Sequence, residues 1–485
     1  TVSSTLMGGA AVDTTYIKKY KAQNPLGSVL VDSGDIMQGT LISNYFKGAS
    51  TIDVFNAMGY QASALGNHDF DWGQPILQQR LAQAQFPWLC CNVFTASTNN
   101  RPSWVTPSAI IQVKGLKIGL IGAITMETPI IVMPSSLVGL EFRQPGPIVN
   151  QIAAQLRAQG VNMVVVLAHL GGTQASSRAA ITGEVADLAN QLTGVNYIAS
   201  GHSHVLLNGA VNNIPITQPY SSGSAIGVAS LRVDRLTGAN SSYTLAVNST
   251  YDLGVTPDPA IAAMVAGYNA QISTQKNLWV GTITGPILRD TPNRYTAESA
   301  VGDLCTDAQA WKAGVPICFT NPGGIRADIK APGTATYPYN VIWNDLYTVQ
   351  PFDNTIVSMD LTGAQIKAVL EQGLTPTLPA SWKMLQVSGI KFTVQTSNPA
   401  NSKVTNLTLA NGTPITTTAT YRVCTNNFLS TGGDGFTVFT QGTNQFMTGI
   451  SDITALADFI PWKWGTPPAN TPFSAPLQGR ITVLP

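Results

Sequence analysis

Short apolar runs alternate with amphipathic stretches through the first half of the chain. Ser28–Val31 closes on Asp32-Ser33-Gly34-Asp35, and Ala62–Leu65 runs into Gly66-Asn67-His68-Asp69. Lys117–Ala123, Met163–Ala168 and Val195–Ser200 are further runs, the second reaching His169 and the third Gly201-His202. Runs of this length and makeup predict strands. Ile52–Met58 and Ile148–Gln159 carry apolar residues at helical spacing. Strands alternating with helices predict a layered α/β architecture, whose sites form at strand C-termini. Pro257–Thr274 predicts a helix with Ile261, Met264, Val265, Tyr268 and Ile272 on one side, and we place a domain boundary just after it, at 275/276. The second half opens with a helical stretch, Ser299–Ala313, then breaks into short strands with Gly, Pro and Asn turns. That pattern predicts an α+β domain of roughly 200 residues. There is no internal repeat and no low-complexity tract.

Composition narrows the function classes. At 485 residues the chain exceeds one ordinary core, and 44% hydrophobic residues exclude disorder by composition. Charged residues are 11% and the net charge is +1, so the basic surface that a phosphate-neutralising nucleic-acid binder needs is missing. No apolar run reaches the ~18 residues of a membrane helix; Ile118–Met126 and Met163–Ala168 are strand length. The polar surface comes from Ser, Thr, Asn and Gln, a common composition in secreted proteins. Sequons starting at Asn240, Asn248, Asn406 and Asn411 add weak support for an exported glycoprotein. No signal peptide is visible at Thr1, so an exported protein would already have lost its leader. Cys90, Cys91, Cys305, Cys318 and Cys424 fit neither a zinc knuckle nor a CxxC pair. Cys305 and Cys318 could bridge a local loop, while Cys90 and Cys91 read as buried strand residues.

The histidines change the picture most. The chain has four, His68, His169, His202 and His204, and every one lies at a predicted strand-to-loop junction. Asp35 and Asn67 stand at equivalent strand ends. A single histidine so placed is more often a satisfied core residue; all four together are hard to explain that way. Imidazole nitrogens mixed with carboxylate and amide oxygens, without thiolate, suit Zn²⁺, Mn²⁺, Co²⁺ or Fe²⁺ better than Ca²⁺ and argue against a closed structural zinc site. Five or six ligands exceed one tetrahedral ion. A binuclear site with a bridging carboxylate is the natural reading, and such a pair clamps both oxygens of an in-line phosphoryl displacement.

Gly34-Asp35, Gly66-Asn67-His68-Asp69 and Gly201-His202-Ser203-His204 resemble the signature blocks of calcineurin-like metallophosphoesterases. The longer stretches Val31–Thr40, Gly66–Gly73 and Ser200–His204 resemble the two-domain 5′-nucleotidase family, which includes UDP-sugar hydrolases and ecto-5′-nucleotidases. Asn321-Pro322-Gly323-Gly324-Ile325-Arg326, Pro351–Thr355 and Phe428–Phe436 are similar to its C-terminal substrate domain. The resemblance implies a four-layer α/β/β/α metallophosphoesterase domain over residues 1–275 and an α+β substrate-binding domain over 276–485. It implies two divalent transition metal ions, Zn, Mn or Co. Asp35 would bridge them, Asn67, His169 and His202 would complete the second ion's shell, and His204 would bind the first. His68, oriented by Asp71, would stay off the metals and stabilise charge on the phosphoryl oxygen, while a metal-activated hydroxide attacks in line. Phe352 and Phe428 would sandwich a nucleobase, in contacts worth ~1–3 kcal/mol per base. Asp434 would accept from ribose hydroxyls, Gly433 would let the backbone approach, and Asn321 and Arg326 would meet the base or phosphate.

The family pattern opens with a strand ending in Asp-x-His, which supplies half of the first metal's ligands. Residues 1–7 contain neither Asp nor His. The chain is therefore expected to lack its natural first strand, the alternative being a protein that has lost the first metal site. The expected activity is secreted or cell-surface hydrolysis of nucleoside 5′-monophosphates, with other nucleotides or UDP-sugars as further substrates. One alternative is a 2′,3′-cyclic-nucleotide phosphodiesterase or 3′-nucleotidase, with a sulfur-compound hydrolase a distant third. Another is a non-enzymatic surface or filament protein on a degenerate nucleotidase scaffold.

Overall fold

A computed structural model describes residues 7–176, 179–235, 237–289, 295–333, 335–375 and 382–485. Residues 1–6, on which the expected departure from the family pattern falls, lie outside the described residues. The chain divides into two compact units, Thr1–Gln38 with Ile42–Gln271, and Gly39–Leu41 with Ile272–Pro485.

In the first unit the predicted runs become strands. These are β1 (Val31–Asp32), β2 (Ala62–Ala64), β3 (Trp88–Leu89), β4 (Ser108–Val113), β5 (Leu116–Ile124), β6 (Met163–His169), β7 (Tyr197–Ser200), β8 (Leu206–Val211) and β9 (Ile214–Pro219). Helices α1 (Ala49–Met58), α2 (Gly73–Gln83), α3 (Pro145–Ala158) and α4 (Glu184–Gln191) connect or flank them. Strand β1 is shorter than the run that predicts it: the Leu30 N–H donates to the Gln61 side chain instead of a ladder partner. Strands β1-β2-β3 form a small parallel sheet, and β8-β9-β7-β6-β5-β4 a six-stranded one. The β4–β5 hairpin turns through Lys114 (φ 49) and Gly115 (φ 71), the positive pair that a tight two-residue turn requires.

Period-two alternation sorts the side chains into layers. Ile118 and Leu120 of β5 and Val165 and Leu167 of β6 pack with Ala62, Ala64 and Leu89 of the small sheet. Their neighbours Ile121, Ala123, Val164 and Val166 face the other way, onto Val149, Ile152 and Leu156 of α3 and Val185 and Leu188 of α4. On the far side of the small sheet, Leu65 and Trp88 pack with Ile52 and Leu77 from α1 and α2. The order helix, sheet, sheet, helix is the four-layer sandwich implied by the sequence resemblance, and both sheets are buried on two faces.

The second unit is built on a five-stranded mixed sheet. Its strands are β10 (Ile317–Thr320), β11 (Thr355–Thr362), β12 (Gln386–Ser388), β13 (Thr420–Asn426) and β14 (Thr443–Ser451), in spatial order β12-β10-β13-β11-β14. Ile317, Phe319, Val357, Met359 and Val423 point into the main core with Ile366 and Val369 of α5 (Gly363–Gln372). Cys318, Ile356 and Cys424 point the other way, against Ala310 of α6 (Ala300–Ala313) and Ala455 of α7 (Asp452–Trp464). All five cysteines are buried free thiols. The Cys305–Cys318 bridge is therefore not formed; Cys318 is instead the register partner of Cys424.

Candidate functional site

The polar clusters after β1, β2, β6 and β7 converge. The turn after β1 is tied by Asp32, which accepts from the Gly34 N–H at 2.7 Å and the Ser63 hydroxyl at 3.0 Å. It leaves Asp35 at φ 62. Asp69 accepts three backbone N–H groups, from Gly66 at 2.7 Å, Asp35 at 3.1 Å and Ile36 at 3.2 Å, locking the β1 and β2 loops together. Gly66 is required by contact: a Cβ there would sit 2.2 Å from the Asp35 carboxylate. His202 (φ 81) and His204 (φ 59) share the left-handed backbone of Asp35. Non-glycine residues held this way cost of order 1–3 kcal/mol each and cluster where function needs a fixed side-chain direction.

Three ligand-type atoms meet at His169. Its Nδ1 lies 2.8 Å from the Ser33 carbonyl, so that nitrogen donates. Its Nε2 lies 3.0 Å from Asp35 Oδ2 and 3.1 Å from Asn67 Oδ1, both acceptors. With the only ring proton on Nδ1, Nε2, Asp35 Oδ2 and Asn67 Oδ1 are three buried acceptors facing one another, an arrangement that a proton on Nε2 or a cation among them satisfies. His202 belongs to the same cluster: ligand atoms of Asp35, His169 and His202 all lie within 4.8 Å of one another. The donor set of imidazole, carboxylate and amide oxygen fits a borderline divalent ion, so the residues present suit the implied metal. His204 is exposed and stands outside this group.

Burial pushes the Asp35 carboxyl up, but His169, His68 and His202 more than reverse this and hold it well below the ordinary carboxylate range. Burial lowers the His169 imidazole, and the Asp35 charge more than compensates, leaving it raised. Burial, then the Asp35 charge, push Asp69 up to about 8. His68 is tied at both ends. Its backbone N–H donates to Asp35 Oδ1 at 2.8 Å, and its Nδ1 meets Asp71 Oδ2 at 2.9 Å. Asp71 thus sets the ring orientation and leaves Nε2 as the other polar atom of the imidazole.

The second unit gathers the remaining candidates at strand ends and a glycine loop. Asn321 follows β10, and its Nδ2 donates to Asp434 Oδ2 at 2.7 Å. Asn426, the last residue of β13, donates to Asn321 Oδ1 at 3.2 Å. Asp434 sits at φ 58 between Gly433 and Gly435. Gly433 lies against the half-buried Phe428 ring, where a Cβ would be 2.5 Å from it. The Arg326 guanidinium is 5.7 Å from the Phe352 ring centroid, and the Arg326 N–H donates to the Val349 carbonyl at 2.8 Å.

Residues 8–206 match the calcineurin-like phosphoesterase family, and residues 279–441 match the C-terminal domain of 5′-nucleotidases. The chain belongs to the two-domain 5′-nucleotidase family. A 5′-nucleotidase precursor from Thermus thermophilus is 29% identical, with TM-score 0.85 over 99% of this chain and 94% of that one. The cell wall protein Lmo0130 of Listeria monocytogenes is 30% identical over 89% of this chain and 61% of its own length. The endonuclease YhcR of Bacillus subtilis is 27% identical over 92% of this chain and 36% of its own. The chain thus spans less than two thirds of these two relatives.

Some residues of this nucleotidase-type site escaped sequence reasoning. Asp32 and Asp69 stand inside the signature-like blocks, but only the fold shows them accepting from the N–H and hydroxyl groups of the surrounding loops. Glu127 Oε2 lies 3.7 Å from His202 Nε2, and no motif marks it. Lys383, whose Nζ is 3.1 Å from Asp434 Oδ1, follows a stretch without any distinctive pattern. Among the sequons, the Asn240 side chain is engaged with Asn196, whereas Asn406 and Asn411 are exposed.

Proposed function

We propose that the chain is an exported metal-dependent phosphohydrolase that releases phosphate from nucleoside 5′-monophosphates. The observation that carries this reading is the meeting of His169 Nε2, Asp35 Oδ2 and Asn67 Oδ1 around a place suited to a cation. Residues 1–275 would carry the chemistry and 276–485 the recognition of the nucleoside. Asp35, Asn67, His169 and His202 would hold one divalent ion, and Asp35 and His204 would contribute to a second. When bound, such ions supply Lewis acidity at a phosphoryl oxygen and make a water acidic enough to attack at neutral pH.

The chain's own residues do the rest. Asp71 fixes the His68 ring, so that a protonated Nε2 can donate to the phosphoryl oxygen as charge grows there. Asp35, held ionised by its histidine neighbours, supplies the negative charge that attracts the cation. Phe428 and Phe352 offer aromatic faces to a base, which stacking recognises with little regard to its identity. Asp434 accepts from sugar hydroxyls. The likeness to a cell wall protein supports an extracellular place, and no described helix is long and apolar enough to cross a membrane. A second reading, hydrolysis of phosphodiesters such as 2′,3′-cyclic nucleotides, draws support from the likeness to an endonuclease.

The test is metal analysis combined with phosphate release from AMP and from 2′,3′-cyclic AMP, on native protein supplied with Mn²⁺, Zn²⁺ or Co²⁺. Bound transition metal with release from AMP supports the first reading. Turnover of the cyclic substrate alone supports the second, and a folded, metal-free, inactive protein sinks both.

A further inference from the structure

Asp434 is already engaged before any substrate arrives. Asn321 Nδ2 donates to its Oδ2 at 2.7 Å, and Lys383 Nζ donates to its Oδ1 at 3.1 Å. The cluster is firmly built. The Asp434 side chain is 11% exposed, and Asn321 is turned toward it because Asn426 occupies the Asn321 oxygen. Lys383 is anchored by its backbone, whose N–H donates to the Gly373 carbonyl at 2.8 Å, and by buried neighbours Trp382 and Met384. The Lys383 side chain is 37% exposed, so its ammonium is accessible while paired.

An ammonium has three N–H donors and a carboxylate oxygen has two lone pairs. The Lys383–Asp434 contact uses one of each, leaving donors and an acceptor side by side. A vicinal cis-diol offers the complement: one hydroxyl can donate to the carboxylate while the oxygen of the other accepts from the ammonium. We propose that Lys383 and Asp434 together read a vicinal cis-diol, which makes Lys383 a specificity-determining residue for ribonucleotides over 2′-deoxyribonucleotides. The proposal rests on the nucleotidase reading. A 2′-deoxyribose sets a CH₂ group where the pair presents polar atoms, and a site built for a hydroxyl discriminates against the analogue lacking it. The exposure of Lys383 lets water soften that penalty, so the discrimination is modest, about tenfold.

The experiment compares kcat/KM for AMP and 2′-deoxy-AMP in the wild type, Lys383→Met and Lys383→Arg. The wild type should prefer AMP by about tenfold. Lys383→Met should bring the ratio to within about twofold of unity by losing on AMP, and Lys383→Arg, which keeps a cationic donor, should hold a preference for AMP. A ratio unchanged in Lys383→Met, or equal losses on both substrates, overturns the proposal. Competitive inhibition by adenosine against 2′-deoxyadenosine gives a binding readout on the wild type, decisive should Lys383→Met not fold: equal inhibition overturns the proposal. A wild type that hydrolyses p-nitrophenyl phosphate but neither nucleotide sinks the nucleotidase reading, and the proposal with it. One that hydrolyses both nucleotides equally well sinks the proposal alone.

Discussion

At the strand ends of the first unit, polar side chains are held mainly by backbone. Asp69 takes three main-chain N–H groups, His169 gives its Nδ1 proton to a main-chain carbonyl, and Asp35 accepts the His68 N–H. In the second unit the central carboxylate, Asp434, is held by the side chains of Asn321 and Lys383, and the preceding Gly433 lies against the Phe428 ring. The difference matches the two tasks. Ligands for an ion must stand at fixed distances, and backbone partners cannot change rotamer. A sugar and base can be met by groups that shift a little. Single substitutions should therefore be far more damaging in the first cluster than in the second.

The largest effect should come from Asp35→Ala. We expect bound metal to fall below one ion per chain and AMP hydrolysis to drop by more than the roughly 10–100-fold typical of losing a group behind a ligand. Retention of full metal by this variant would break the comparison at its strongest point. His68→Ala should lower kcat by about a hundredfold while leaving bound metal nearly unchanged. Parallel loss of metal and rate would make His68 a ligand instead.

Phe428→Ala should raise KM for AMP by about tenfold, the low end of the ~1–3 kcal/mol that stacking supplies. Its loss on AMP should clearly exceed that on p-nitrophenyl phosphate, and equal losses would remove the stacking role. The smallest effect concerns stability. Burial, reinforced by Asp353, pushes Asp452 up to about 8. The unfolded carboxyl ionises near pH ~4 while the folded one keeps its proton, so stability should fall as pH rises from about 4 to about 8. Asp452→Asn should flatten that decline, raising Tm at pH 8 relative to wild type and not at pH 4. A parallel pH profile for both proteins would show that Asp452 does not cause it.

Strand and helix positions were legible because short apolar runs and period-3.6 patterns mark the elements of a well-buried α/β sandwich, whereas the four-layer order was implied by the family resemblance. Met163–Ala168 reads as one continuous apolar run, and only the fold divided Val164 and Val166 from Val165 and Leu167. The candidate ligands were legible for a different reason. With only four histidines in the chain, each one at a strand end stood out from its surroundings. Lys383 gave no such sign, since one lysine after a tryptophan looks like any solvated cation.

Sequence alone thus pointed to the family and the alternation of elements, and it put forward the candidates for binding metal and base. Only tertiary structure could decide which carboxylates meet a histidine and which are tied up by backbone N–H groups. Asp35 and Asp69 stand in similar loops, yet one reaches His169 and the other spends its oxygens on three N–H groups. Tertiary structure also grouped His169 and His202 with Asp35 and brought Lys383 to Asp434 across 51 positions of chain. The physical reason is the same in each case. Apolar periodicity is a property of neighbouring residues, whereas a hydrogen bond between distant side chains depends on where the packed core delivers both ends.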